Sequence, residues 1–189
     1  MQRPALTPDR TLRIALFAGL GYGLLNGMAA VYNGSLWFAT VGCYYLLMSL
    51  TRLLLLRNGA GAVRKCGWLQ LLITAVIGGM SWYALELGRA SVYPGHLIYG
   101  AATYTFYALT MATVQLVRWH RKKQPVWWAA KVISLTGAAV SLFFLENALL
   151  AAFGSGEPWQ YPMQLATAGG VFLFSALMAI WMIIKKDAA

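Results

Sequence analysis

Residues 35–57 read SLWFATVGCYYLLMSLTRLLLLR, and Arg52 is the only charge in that run before the terminal Arg57. A bilayer core of about 30 Å is crossed by roughly 20 apolar residues of helix at about 1.5 Å per residue, so this stretch alone spells a membrane span. Comparable apolar stretches lie near 11–32, 66–90, 95–118, 126–153 and 162–184 and fill most of the 189 residues. The sequence therefore predicts an all-α integral membrane protein with six transmembrane helices, forming a single domain over residues 1–189. Loops this short leave no room for a soluble catalytic or nucleotide-binding domain.

Charge gives the expected orientation. Of the 15 Lys and Arg, all but Arg89 fall at the two ends or around the second and fourth connections. Short loops rich in Lys and Arg stay cytoplasmic, which places both termini inside and the protein in a plasma membrane, expected to be bacterial. The formal charge of +10 is then a topology signal, held in part by anionic inner-leaflet lipids, and no nucleic-acid partner is expected. Ten mostly polar residues run straight into a full-length span, so no cleavable leader is expected. Cys43 and Cys66 fall at different depths and cannot pair. Asn33-Gly-Ser35 spells a glycosylation acceptor almost against the bilayer and reads as a turn. Most tryptophans fall near the two interfaces. Trp82 lies deeper and is expected to face the bundle.

Tyr22-Gly-Leu-Leu-Asn-Gly-Met-Ala-Ala-Val-Tyr-Asn-Gly-Ser-Leu36 aligns without gaps on Tyr83-Ala-Leu-Glu-Leu-Gly-Arg-Ala-Ser-Val-Tyr-Pro-Gly-His-Leu97, with eight of fifteen positions identical at a spacing of 61. A fainter third copy links Phe143-Phe-Leu-Glu146 to Tyr83-Ala-Leu-Glu86. Read as a repeat, the chain is three helical hairpins, about 11–57, 66–118 and 126–186, around a pseudo-threefold axis, with a binding site between copies as in transporters built from parallel repeats. Read as a recurrent outer turn, the match needs only glycines that tolerate positive φ and interfacial tyrosines; that reading leaves Tyr22/Tyr83 and Gly27/Gly88 unexplained.

Polar groups inside apolar spans are costly and point to function. The repeat places Asn26, Glu86 and Glu146-Asn147 at one level, about 10 Å below the outer boundary at about 1.5 Å per residue. Converging there, they would ring a pocket in which two carboxylates favour a proton or a cation. The structural alternative pairs Glu86 with Arg89 and gives Glu146 a neighbouring Tyr or Thr. Along the fourth span His96, Tyr99, Thr103, Tyr107, Thr110 and Thr113 recur at steps of three or four, a stripe expected to look into the bundle. Lys131 and Arg52, about a turn and a half from the inner boundary, are expected to snorkel. The expected ligand-binding or pathway residues are thus Glu146, Glu86, Asn26, Asn147, Tyr107, Thr103 and Thr110.

Catalytic motifs and metal-ligand spacings are absent from the sequence, and no cofactor is expected. The reading that follows is a transporter or channel-like protein for a small solute or cation. An intramembrane enzyme acting on lipid is a lesser alternative, carried only by a lone carboxylate. Ala15, Gly19, Gly23 and Gly27 form a small-residue ridge on the first span, suited to close helix packing, to docking a partner subunit or to homo-oligomerisation. In size, topology and this ridge the chain resembles the substrate-binding membrane subunits of energy-coupling-factor vitamin transporters. That resemblance implies a membrane-embedded ligand-binding or scaffold subunit docking a partner through its first helix. The outer turns here are shorter than those with which that family covers its ligand.

Overall fold

The computed structural model describes residues 8–86, 95–118, 125–153 and 157–184. Every regular element among them is helical: α1 (Pro8–Asn33), α2 (Leu36–Asn58), a 3-10 turn (Gly59–Ala62), α3 (Val63–Glu86), α4 (Gly95–Arg118), α5 (Pro125–Phe153) and α6 (Gln160–Ile184). Two glycines set the tight connections. Gly34 and Gly59 both take φ of +58°, the left-handed region that a side chain disfavours. Gly34 ends α1, so Asn33-Gly-Ser is a turn. The Gly59 amide closes α2 by donating to the Leu55 carbonyl.

Four helical stretches are long and apolar enough to cross a bilayer: Leu12–Asn33, Leu36–Gly79, Val126–Phe153 and Gln160–Ile184, the second running through α2 and the 3-10 turn into α3. The outward surface is correspondingly apolar, with Phe17, Met28, Leu72, Val76, Phe106 and Leu173 all exposed, as lipid contact requires. The chain is thus a helical membrane protein. Trp82 departs from expectation. It is 55% exposed on the outer surface of α3 instead of facing the bundle.

Among the described residues the principal neighbours are α1 with α2, α3 with α6, and α4 with α5, while α5 also touches α6, α2 and α3. Three equivalent sequential hairpins are not confirmed: among the described residues α4 packs chiefly on α5. The side chains of the second repeat copy, residues 83–97, lie outside the described residues. Lipid is as apolar as leucine, so helices meet where small residues allow van der Waals approach, whatever their order in the chain. In α1 and α2 those residues are Gly19, Gly23 and Gly42. A Cβ on Gly42 would stand 3.0 Å from the Gly27 amide nitrogen and 3.1 Å from the Gly23 carbonyl oxygen. The ridge on α1 is therefore used inside the protein, against α2. In the second pair Gly67 of α3 plays the same part, lying against Ala179 and Ile183 of α6. Phe38, Val41, Met48, Ile133 and Phe143 fill the interior between α2 and α5.

Candidate functional site

Each outer polar residue proves to have its own local arrangement. Asn26 is buried and donates from Nδ2 to the Tyr22 carbonyl at 2.9 Å, one turn back in its own helix, leaving Oδ1 buried without a partner. Asn147 Nδ2 likewise donates one turn back, to the Phe143 carbonyl at 2.8 Å. Glu146, half-buried, accepts from Thr167 of α6 at 3.2 Å, while the same hydroxyl also reaches the Met163 carbonyl at 3.0 Å. The side chains of Glu86 and His96, like Arg89, lie outside the described residues. No hydrogen bond found among the described residues joins any two of Asn26, Glu146 and Asn147.

The α4 stripe points the other way from what its spacing suggested. Tyr99, Thr103, Thr110 and Thr113 are exposed, and the buried face of α4 is Ala101, Thr105 and Ala112. Thr103 and Thr110 donate to the carbonyls of Tyr99 and Phe106, four residues back. A threonine satisfied in this way has no need of the interior, whereas small residues are needed where α4 crosses α5. Thr105 marks that crossing: its hydroxyl reaches the Ala101 carbonyl at 2.9 Å and the Ser141 carbonyl of α5 at 3.2 Å. Among the described residues of the stripe only Tyr107 turns partly inward, its hydroxyl buried without a hydrogen-bond partner.

The centre of the bundle is built around Arg52 instead. Arg52 lies six residues before the end of α2, about 9 Å along the axis, and is only 5% exposed. Its guanidinium is turned into the protein. Nη1 donates to the Ala15 carbonyl of α1 at 2.9 Å. A Cβ on Gly19 would lie 2.9 Å from Nη1, and one on Gly137 would lie 3.6 Å from Nη2, so a glycine on α1 and another on α5 flank the group and leave it room. Nε is buried with no partner. Tyr104 of α4, with Tyr44 and Tyr107, lies within electrostatic reach of the guanidinium.

A chain of aromatic rings and hydroxyls continues outward from it. Tyr104 stacks on Tyr22 with centroids 4.3 Å apart, and both meet Tyr45 edge-on at 4.9 and 4.7 Å. Tyr44 and Tyr45 reach Phe144, which meets Trp37. Ser141 gives its one hydroxyl hydrogen to the Gly137 carbonyl at 2.7 Å, so at the 2.8 Å contact with Tyr45 the tyrosine donates. Ser49, one turn before Arg52 on the same face, closes the inner side through the Tyr45 carbonyl at 2.8 Å. Seven positions on four helices thus supply phenols and hydroxyls around one cation.

The cation has no carboxylate among the described side chains. Glu146 is occupied with Thr167 and lies nine residues further along α5 than Gly137, about 13 Å. Glu157 is exposed in the turn before α6. Burying an unpaired charge costs several kcal/mol, and an unmet charged donor adds to that. Two apolar surface clefts among the described residues do not include Arg52; one of about 390 Å³ between α2 and α3 includes Tyr44 in its wall, and the other follows α1 from Gly23 to Asn33.

Snorkelling was the expectation for Arg52, and the structure overturns it. A signal was available in the sequence: Tyr45, Ser49 and Arg52 fall at i, i+4 and i+7, one face of one helix, and a snorkelling arginine does not need hydroxyls above it. Comparison with known protein families, with curated proteins and with solved structures finds no match to this chain.

Proposed function

We propose that the protein is a small membrane transporter or channel-like protein whose solute site is the Arg52 centre. In this reading all of α1 to α6 cross the bilayer, with both termini on the cytoplasmic side as the distribution of Lys and Arg indicates. The observation that carries the proposal is a pair of buried, unmet donors, Arg52 Nε and the Tyr107 hydroxyl, the second within electrostatic reach of the guanidinium. A purely structural arginine needs no more than the Ala15 carbonyl and a neighbouring phenol. Evolution of a stable bundle would replace the remainder with apolar packing at little or no cost in stability. Interior polar groups retained in a membrane protein against that cost mark solute pathways and binding sites.

Asn26, with its open carbonyl oxygen, and Glu146 take a lesser part as lining further out, and Tyr107 belongs to the centre itself. The positive charge there removes the earlier reason for favouring a cation. The docking-subunit reading loses its main support, because the small-residue ridge of α1 is already buried against α2.

The test is solute entry into proteoliposomes followed by light scattering, with potassium acetate plus valinomycin, glycerol and choline chloride as probes. The expected result is entry of at least one probe well above protein-free vesicles, slowed tenfold or more by Arg52→Gln. Entry no faster than in protein-free vesicles for every probe would overturn the proposal, as would entry indifferent to Arg52→Gln.

A further inference from the structure

Resting on the reading of the Arg52 centre as the solute site, we propose that what it binds is an oxyanion: a carboxylate or phosphate-type group gripped by the Nε side of the Arg52 guanidinium and by the Tyr107 hydroxyl. The guanidinium is divided in its duties. Nη1 is committed to the Ala15 carbonyl, which fixes the plane of the group, while Nε is left open. The Nε side of an arginine is one of the edges that meets two oxygens of a carboxylate or phosphate at once, a planar fit that a halide cannot use. Tyr107 brings a second donor, since a phenol beside a cation gives its hydrogen to an anion. Tyr104, also within reach of the guanidinium, completes a wall of hydroxyls.

Gly19 leaves room for the guanidinium itself. Any side chain at position 19 would fall on Nη1 and on the Ser49 hydroxyl, 2.9 and 2.6 Å away. Among the described side chains no carboxylate meets the guanidinium, since Glu146 and Glu157 are both elsewhere. The same chemistry is available from two sources, a free anion from water or the headgroup of an anionic lipid.

The experiment is thermal unfolding of the detergent-purified, delipidated protein at constant ionic strength, replacing sodium chloride stepwise by sodium acetate or sodium phosphate. Acetamide serves as the uncharged counterpart of acetate. The expected result is a saturable rise in Tm with acetate or phosphate and none with acetamide. The apparent Kd weakens about tenfold in Tyr107→Phe, as loss of one hydrogen bond to a charged group implies, and binding disappears in Arg52→Gln. Tyr107→Phe keeps the test sound should Arg52→Gln fail to fold, because it removes only a hydroxyl that has no partner.

Native mass spectrometry before delipidation separates the sources. An anionic phospholipid retained by the native protein, displaced by phosphate and absent from Tyr107→Phe, assigns the site to a headgroup; no retained lipid together with saturable binding assigns it to a free anion. No stabilisation beyond chloride by either oxyanion, or an affinity unchanged in Tyr107→Phe, overturns the inference. Because binding is read without flux, glycerol entry that depends on Arg52 in the absence of oxyanion binding would sink the inference alone, and binding without any solute entry would sink transport alone.

Discussion

Replacing Gly42 by alanine tests the packing of α1 on α2 at its tightest point. The added Cβ would lie 3.0 Å from the Gly27 nitrogen, 3.1 Å from the Gly23 carbonyl oxygen and 3.4 Å from the Gly27 Cα. Two of these contacts are about 0.4 to 0.5 Å inside the roughly 3.5 Å at which non-bonded atoms rest. All three neighbours are backbone, so no rotamer change relieves them; α1 must move away from α2 along its length. Overpacking of this kind costs about 1–3 kcal/mol, against which the usual helical advantage of alanine over glycine returns less than about 1 kcal/mol. A net loss of about 1–2 kcal/mol is expected. Gly21→Ala is the matched control: it lies on the same pair of helices, but a Cβ there meets nothing within 4 Å, so the alanine should be neutral or stabilising. Reversible unfolding in mixed micelles, read by tryptophan fluorescence, measures both. Equal effects from the two substitutions, or a Gly42→Ala protein as stable as the native one, would refute the close contact.

Further expectations concern the other contacts. Gly67→Ala sets a Cβ 2.9 Å from Ile183 and 3.1 Å from the Ala179 carbonyl, and should loosen α3 from α6 by about 1–2 kcal/mol; no change in unfolding would contradict that pairing. Tyr45→Phe removes the donor to Ser141 at 2.8 Å, and a double-mutant cycle with Ser141→Ala should return a coupling near 0.6 kcal/mol, the average for such bonds in membranes. Zero coupling would break the hydroxyl chain between α2 and α5. Gly19→Ala should push the guanidinium from the Ala15 carbonyl, since both nearby atoms are side-chain ends that can yield; the protein should fold with its acetate or phosphate binding lost, and retained binding would count against the geometry of the site.

Where the chain turns was legible from single residues. Gly34 and Gly59 stand between apolar runs, and both adopt the positive φ that such a break requires. Which helices pair was not legible, for a physical reason. Helices apolar on all sides carry no stripe that names a partner face, and the glycines that decide contacts, such as Gly42 and Gly67, look alike in sequence whether they meet a neighbour or lipid. The stripe on α4 misled because a threonine hydroxyl can bond its own helix, as Thr103 and Thr110 do. Arg52 was misread because its distance from the inner boundary permits either direction. What turns it inward is the room beside Gly19 and Gly137, 33 and 85 positions away in the chain, together with a carbonyl on α1, and no local pattern reports that. The outer groups Asn26 and Asn147 were found as buried polar residues, and burial is correct for both; their partners are the carbonyls of their own helices.

The central claim is that α2 crosses the bilayer and carries Arg52 inside it. In a background with Cys43 and Cys66 replaced by serine, single cysteines at Asn33 and Ala60 bracket α2. Labelling of sealed right-side-out vesicles with a membrane-impermeant maleimide should mark Asn33→Cys at once and Ala60→Cys only after the membrane is opened. Labelling of both from the same side would place α2 outside the membrane interior and leave the buried arginine without the bilayer that gives it meaning.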